Sequence, residues 1–126
     1  MAQIDHLILN VNELDPSVDF YINIMGFKPV AGEHGPYTEI RVSEDSTILL
    51  APFGAKVSQH LAFALSRQDF DKIVALAKAA AVPHGSSWDN VGSNTGPGVE
   101  DGARGSAPTF YMFDPSKNLI EIRTYE

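Results

Sequence analysis

The 126-residue chain contains no cysteine, which removes disulfides, thiolate metal ligands and thiol nucleophiles together and leaves His, Asp and Glu to hold a metal or move protons. Positive charge is also scarce. Nine Lys and Arg stand against sixteen Asp and Glu, a formal net charge of −7, and a chain of that sign repels phosphate backbones and anionic headgroups. Neither a nucleic acid nor a membrane surface is an expected partner. No run approaches the roughly eighteen apolar residues of a membrane span, and Met1 to Val11 lacks the basic start and long apolar stretch of a secretory signal. The expected setting is cytoplasmic. Histidine occurs only four times, so each one can be weighed.

What is present must be read as pattern, because 44% hydrophobic and 20% charged residues describe an ordinary globular chain. Ile4 to Val11 is rich in β-branched residues and Leu and reads as a strand. Asp15 then caps a helix with Pro16 at its first position, and Val18, Tyr21, Ile22 and Met25 recur at helical spacing until Gly26. Phe27 to Ala31, Tyr37 to Val42 and Thr47 to Ala51 read as three further strands. The turn signals His34-Gly35-Pro36 and Glu44-Asp45-Ser46 separate them.

After Pro52-Phe53-Gly54 the order repeats. Ser58 to Leu65 reads as a strand, and Gln68 to Ala81 as a helix with Phe70, Ile73, Val74, Leu76 and Ala77 inward. Val82-Pro83-His84 ends the helix, and a further strand and a long loop follow. Thr109 to Phe113 and Leu119 to Arg123 are two strands joined by the turn Asp114-Pro115-Ser116-Lys117-Asn118. The repeat shows in residues too, since His6-Leu7-Ile8-Leu9 and His60-Leu61-Ala62-Phe63 both read His-Leu-x-apolar. Strand alternation puts His6, Ile8 and Asn10 on one face, away from Leu7, Leu9 and Val11. Beside His60 stand only Ala62 and Ala64, which leaves room for a ligand. The expected architecture is α+β: a single domain of two tandem βαβββ modules, 1–54 and 55–126, forming a curved mixed sheet around a cleft. The second module carries a Gly-rich loop, 86–106.

Two His from the first strands of related modules, with Glu121 in an otherwise apolar last strand, make a candidate two-His, one-carboxylate set. Such a set covers one face of an octahedral ion and leaves positions open for substrate.

The repeated unit, the His near the start of each half, and the ending Phe110-Tyr111-Met112-Phe113-Asp114-Pro115-Ser116-Lys117-Asn118-Leu119-Ile120-Glu121 resemble the vicinal oxygen chelate superfamily over nearly the whole chain. That group includes glyoxalase I, extradiol dioxygenases, fosfomycin-resistance thiol transferases and bleomycin-resistance proteins. The resemblance implies a divalent ion (Fe²⁺, Mn²⁺, Zn²⁺ or Ni²⁺) on His6, His60 and Glu121. It also implies a homodimer in which modules pair within or between chains, the metal site being shared in the second case. Lys117 departs from the Gly common in the family's turn. The fourth ligand of glyoxalase I and related epimerases has no counterpart in Thr47 to Ala51. The fosfomycin transferases place a hydroxyl residue where Ile8 stands. Extradiol dioxygenases carry a Tyr ten residues before the Glu, matched by Tyr111, but their additional His has no match between Gly85 and Phe110.

The expectation is therefore a metal-dependent enzyme of dioxygenase, lyase or thiol-transferase type acting on a small substrate. The alternative is a metal-free, bleomycin-resistance-like protein that sequesters its ligand. Glu121 and Tyr111 are the candidate catalytic residues, Tyr111 as hydrogen-bond donor or general acid. Arg123, Arg104 and Trp88 are candidates for substrate contact, with Trp88 and the Gly-rich loop forming a lid. His34 reads as a solvated turn residue, and His84 as a residue near the cleft.

Overall fold

The opening His-Leu run does form a strand, and its partner lies some forty residues further on. The computed structural model describes residues 1–126, which divide into two units, Met1–Val57 and Ser58–Glu126. In the first, β1 (His6–Asn10), β2 (Lys28–Pro29), β3 (Thr38–Ser43) and β4 (Ser46–Ala51) form a mixed sheet in the order β1-β4-β3-β2. β1 and β4 are parallel, with His6 opposite Thr47, Ile8 opposite Leu49 and Asn10 opposite Ala51. Leu9, Val11, Ile40, Ile48 and Leu50 are buried, so the alternation read in the sequence holds: His6, Ile8 and Asn10 stay exposed.

Two details of this unit differ from expectation. Helix α1 (Leu14–Asp19) begins before Asp15, and its N-cap, Glu13, makes no side-chain capping bond. Pro16 sits inside the first turn, where no N–H is needed. The helix then widens into a π-helical turn, Phe20–Ile24, closed by a bond from Met25 N to Phe20 O at 3.1 Å. β2 is only two residues long rather than five, because Pro29 donates nothing to a ladder and is tolerated there only at a sheet edge.

The second unit repeats the order with one strand added to the expected βαβββ: β5 (His60–Ala64), α2 (Arg67–Ala79), β6 (His84–Gly85), β7 (Gly98–Gly102), β8 (Gly105–Phe113) and β9 (Leu119–Arg123). Its sheet runs β5-β9-β8-β6, with β7 paired to β8. α2 is capped by Ser66, whose hydroxyl accepts from Asp69 N at 3.1 Å, and it buries Phe70, Ile73 and Ala77. Phe110, Met112, Ile120 and Ile122 are fully buried on one face of the sheet.

The Gly-rich segment is only partly a loop. β7 and β8 form an antiparallel hairpin in which Gly102 pairs with Gly105 across the two-residue turn Ala103-Arg104. The residues before it are pinned, with Gly92 N and Asn94 N both donating to His84 O at 2.9 and 2.8 Å. Counting glycines concealed the hairpin, since tight hairpin turns favour glycine as much as loops do. No helix is long and apolar enough to cross a membrane.

Candidate functional site

The turn that precedes β9 sets the site's register. Asp114 Oδ1 accepts from Ser116 N and Asn118 N at 2.9 and 2.8 Å, and Asp114 Oδ2 accepts from Asn118 Nδ2 at 3.0 Å. Asn118 Oδ1 in turn accepts from Gln59 N at 3.0 Å, and Ser58 Oγ donates to Lys117 O at 2.7 Å. The turn is thereby clipped to the residues just ahead of β5. Lys117 has φ +63°, the left-handed region that glycine enters most readily, so a lysine has kept the backbone shape of a glycine turn.

With that register, β5 and β9 run parallel with His60 opposite Leu119 and Ala62 opposite Glu121, while β8 places Tyr111 opposite Glu121. His60, Glu121, Arg123 and Tyr111 therefore share one face. His60 Nε2 lies 3.0 Å from Glu121 Oε1, with its side chain half exposed and that of Glu121 7% exposed. Arg123 Nη1 donates to Glu121 Oε2 at 2.7 Å. Tyr111, buried on β8, stands directly opposite Glu121. Burial first, and then the Glu121 charge, push its phenol up to about 12, so at neutral pH it is a fixed O–H donor. Burial disfavours the Arg123 charge, but its bond to Glu121 and the nearby Tyr125 outweigh that and hold its pKa above the ordinary value.

Arg123 is also bound to the hairpin. Nη1 donates to Asp101 O at 3.2 Å, and Nη2 to Glu100 O and Gly105 O, each at 3.0 Å. Gly102 lies so close over the guanidinium that a methyl group there would overlap Arg123 Cζ. The result is a cavity of about 390 Å³ with His60 and Glu121 at one side, Ala62 and Ala64 on β5, Asp101 and Gly102 of the hairpin, and Tyr125.

The remaining sequence candidates fall elsewhere. His6 stands on β1 of the first unit, exposed, with its Nδ1 2.7 Å from Asp5 Oδ2. Trp88 is 63% exposed and does not line the cavity. Arg104 lies over the Tyr125 ring, 4.1 Å from its centroid, and borders a neighbouring depression with Ser106, Thr124 and Glu126. His34 is half-buried rather than solvated, held between Ala31 O and Glu39 Oε1 at 3.2 and 3.1 Å. His84 is a core residue stacked on Phe110, with Nδ1 2.8 Å from Val82 O. Sequence reading missed Asp101, Gly102 and Tyr125. The Gly-Ala-Arg-Gly turn was the available sign for the first two, and Tyr125 gave none.

No three His, Asp or Glu side chains form a ready-made metal cage. His60 and Glu121 nevertheless suit a cation. Two ligand atoms each about 2.1 Å from an ion and at right angles to one another are about 3.0 Å apart, the separation observed between Nε2 and Oε1. With Oε2 held by Arg123, the carboxylate would offer one oxygen.

The family model described as the Glyoxalase/Bleomycin resistance protein/Dioxygenase superfamily matches residues 3–122. The chain belongs to that superfamily. Among solved structures, a virulence protein of Salmonella typhimurium is 26% identical, with a TM-score of 0.75, covering 100% of this chain and 98% of its own. The oxidase ChaP-H2 is 22% identical at TM-score 0.79, covering 99% and 94%. Lactoylglutathione lyase from Agrobacterium tumefaciens is 18% identical at TM-score 0.70, covering 99% and 95%. At such identities the last two establish the α+β fold of this superfamily and nothing of the reaction.

Proposed function

We propose that the chain is a metal-dependent enzyme in which His6, His60 and Glu121 hold a divalent cation, Fe²⁺, Mn²⁺, Zn²⁺ or Ni²⁺, and a small substrate is bound through two neighbouring oxygens. The observation that carries this reading is the 3.0 Å approach of His60 Nε2 to Glu121 Oε1 beside a cavity. When bound, the cation supplies Lewis acidity toward the substrate oxygens. The chain's own residues do the rest. Arg123 fixes the Glu121 carboxylate by one oxygen, so that the other faces His60. Tyr111, opposite Glu121, keeps its proton and on substrate binding donates it as a hydrogen bond to an oxygen carrying developing charge. Ala62 and Ala64 leave the floor open.

The reaction is of dioxygenase, lyase or thiol-transferase type. Such chemistry accords with a superfamily in which an oxidase and a lactoylglutathione lyase share the fold. His6 comes from the same chain or from a second copy in a homodimer. Dilution to monomer separates these, releasing the ion only in the second case. Metal analysis after purification without chelators tests the whole reading. A stoichiometric divalent ion, lost on His60→Ala, is the expected result. Absence of any ion, with no thermal stabilisation by added Fe²⁺, Mn²⁺, Zn²⁺ or Ni²⁺, would refute it and leave a ligand-sequestering protein of net charge −7, suited to cationic ligands.

A further inference from the structure

A guanidinium beside a carboxylate often takes both of its oxygens through two parallel N–H bonds. Arg123 takes only one. Its Nη1 gives one proton to Glu121 Oε2 at 2.7 Å and the other to Asp101 O at 3.2 Å, while Nη2 gives its two to Glu100 O and Gly105 O, each at 3.0 Å. Three of the four terminal N–H groups are thus spent on main-chain carbonyls of the β7–β8 hairpin. Nε is enclosed by protein and meets no acceptor, and Gly102, having no Cβ, packs directly on the guanidinium. The ion pair is nearly closed to solvent, its side chains 5% and 7% exposed. The hairpin therefore holds Arg123 where it reaches a single carboxylate oxygen, and Oε1 is left to His60.

We propose that Arg123 is a positioning residue that sets which cations the site accepts: it withholds Glu121 Oε2 from the ion, and the hairpin carbonyls hold it to that task. The proposal rests on the metal reading above and deepens it. Ca²⁺ gathers roughly six to eight oxygens, often both oxygens of one carboxylate, whereas Zn²⁺ takes about four ligands, imidazole among them. A Glu121 confined to one oxygen beside His60 serves the second kind of ion and fails the first. The positive charge of Arg123 opposes every divalent ion alike. It lowers affinity overall, and the choice between ions is left to the number of oxygens offered.

Calorimetric titration with Zn²⁺ and with Ca²⁺, joined to infrared difference spectra of the metal-loaded against the metal-free protein, tests this on the wild type and on Arg123→Met. The two carboxylate stretches lie far apart for one-oxygen ligation and close together for two-oxygen ligation. The wild type is expected to prefer Zn²⁺ to Ca²⁺ and to show the wide separation. Arg123→Met, which frees Oε2, should narrow the separation and improve Ca²⁺ relative to Zn²⁺ by about tenfold or more, the range of outer-shell effects. An arginine with a merely structural role predicts instead that both ions weaken together with the separation unchanged, and that result overturns the proposal. A narrow separation in the wild type also overturns it, whether or not the variant folds. A wild type that binds neither ion removes the metal reading and this proposal with it. Zn²⁺ bound by the wild type, with the same preference over Ca²⁺ in Arg123→Met, removes the proposal alone.

Discussion

The two parallel strand pairs at the heart of the units, β1 with β4 and β5 with β9, have the same register and opposite character. Each begins with His two residues before a paired position. In the first unit that position holds Ile8 opposite Leu49, followed by Asn10 opposite Ala51. In the second it holds Ala62 opposite Glu121, followed by Ala64 opposite Arg123. The antiparallel neighbour continues the contrast, Glu39 facing Leu49 where Tyr111 faces Glu121. A shared backbone plan thus carries a mixed, partly exposed sheet face in one unit and a buried charge network in the other. In the first unit the carboxylate of Glu39 is taken by His34, and His6 is left to Asp5. The lesson is that the pairing register decides which positions meet, while one substitution per strand decides whether a His gains a carboxylate.

The comparison breaks hardest if the second unit is made to imitate the first. Glu121→Leu leaves Arg123 buried without its counter-charge and is expected to cost about 3–5 kcal/mol in chemical denaturation. Adding Arg123→Ala, which completes the Leu49 and Ala51 pattern, should recover part of that loss. A double variant less stable than the single would contradict the reading of Arg123 as a stranded charge. Asn118→Ala removes the bonds that clip the β9 turn to Gln59 and Asp114, and should cost about 2–3 kcal/mol by the same measurement. A smaller effect follows from Gly102→Ala. By displacing the guanidinium it should destabilise by about 1–3 kcal/mol and raise hydrogen exchange in the β7–β8 turn. Smallest, and opposite in sign, is Lys117→Gly, which relieves the left-handed lysine and is expected to raise stability by up to about 1 kcal/mol.

Much of this was legible in the chain, for identifiable reasons. The His-Leu repeat and period-two alternation located β1 and β5, because a sheet with one buried face writes that alternation into its sequence. Glu121 stood out as the lone acid in an apolar strand. The β7 strand was invisible, since Val99-Glu100-Asp101 has no alternation and the glycines on either side read equally as loop. The commitment of Arg123 was invisible for a different reason. Its partners other than Glu121 are backbone carbonyls, and a carbonyl leaves no mark on residue identity. The π-helical turn after α1 likewise changes hydrogen bonding without changing the apolar spacing of Phe20, Tyr21 and Ile24.

Calorimetric titration of the metal-free chain with Mn²⁺ or Zn²⁺, on the wild type and on His60→Ala and Glu121→Gln, tests the central claim most directly. The expected result is stoichiometric binding by the wild type, weakened at least about 100-fold in each variant, beyond what loss of an outer-shell partner costs. Equal affinity in the wild type and both variants would contradict the claim that the His60 and Glu121 pair is the core of the site.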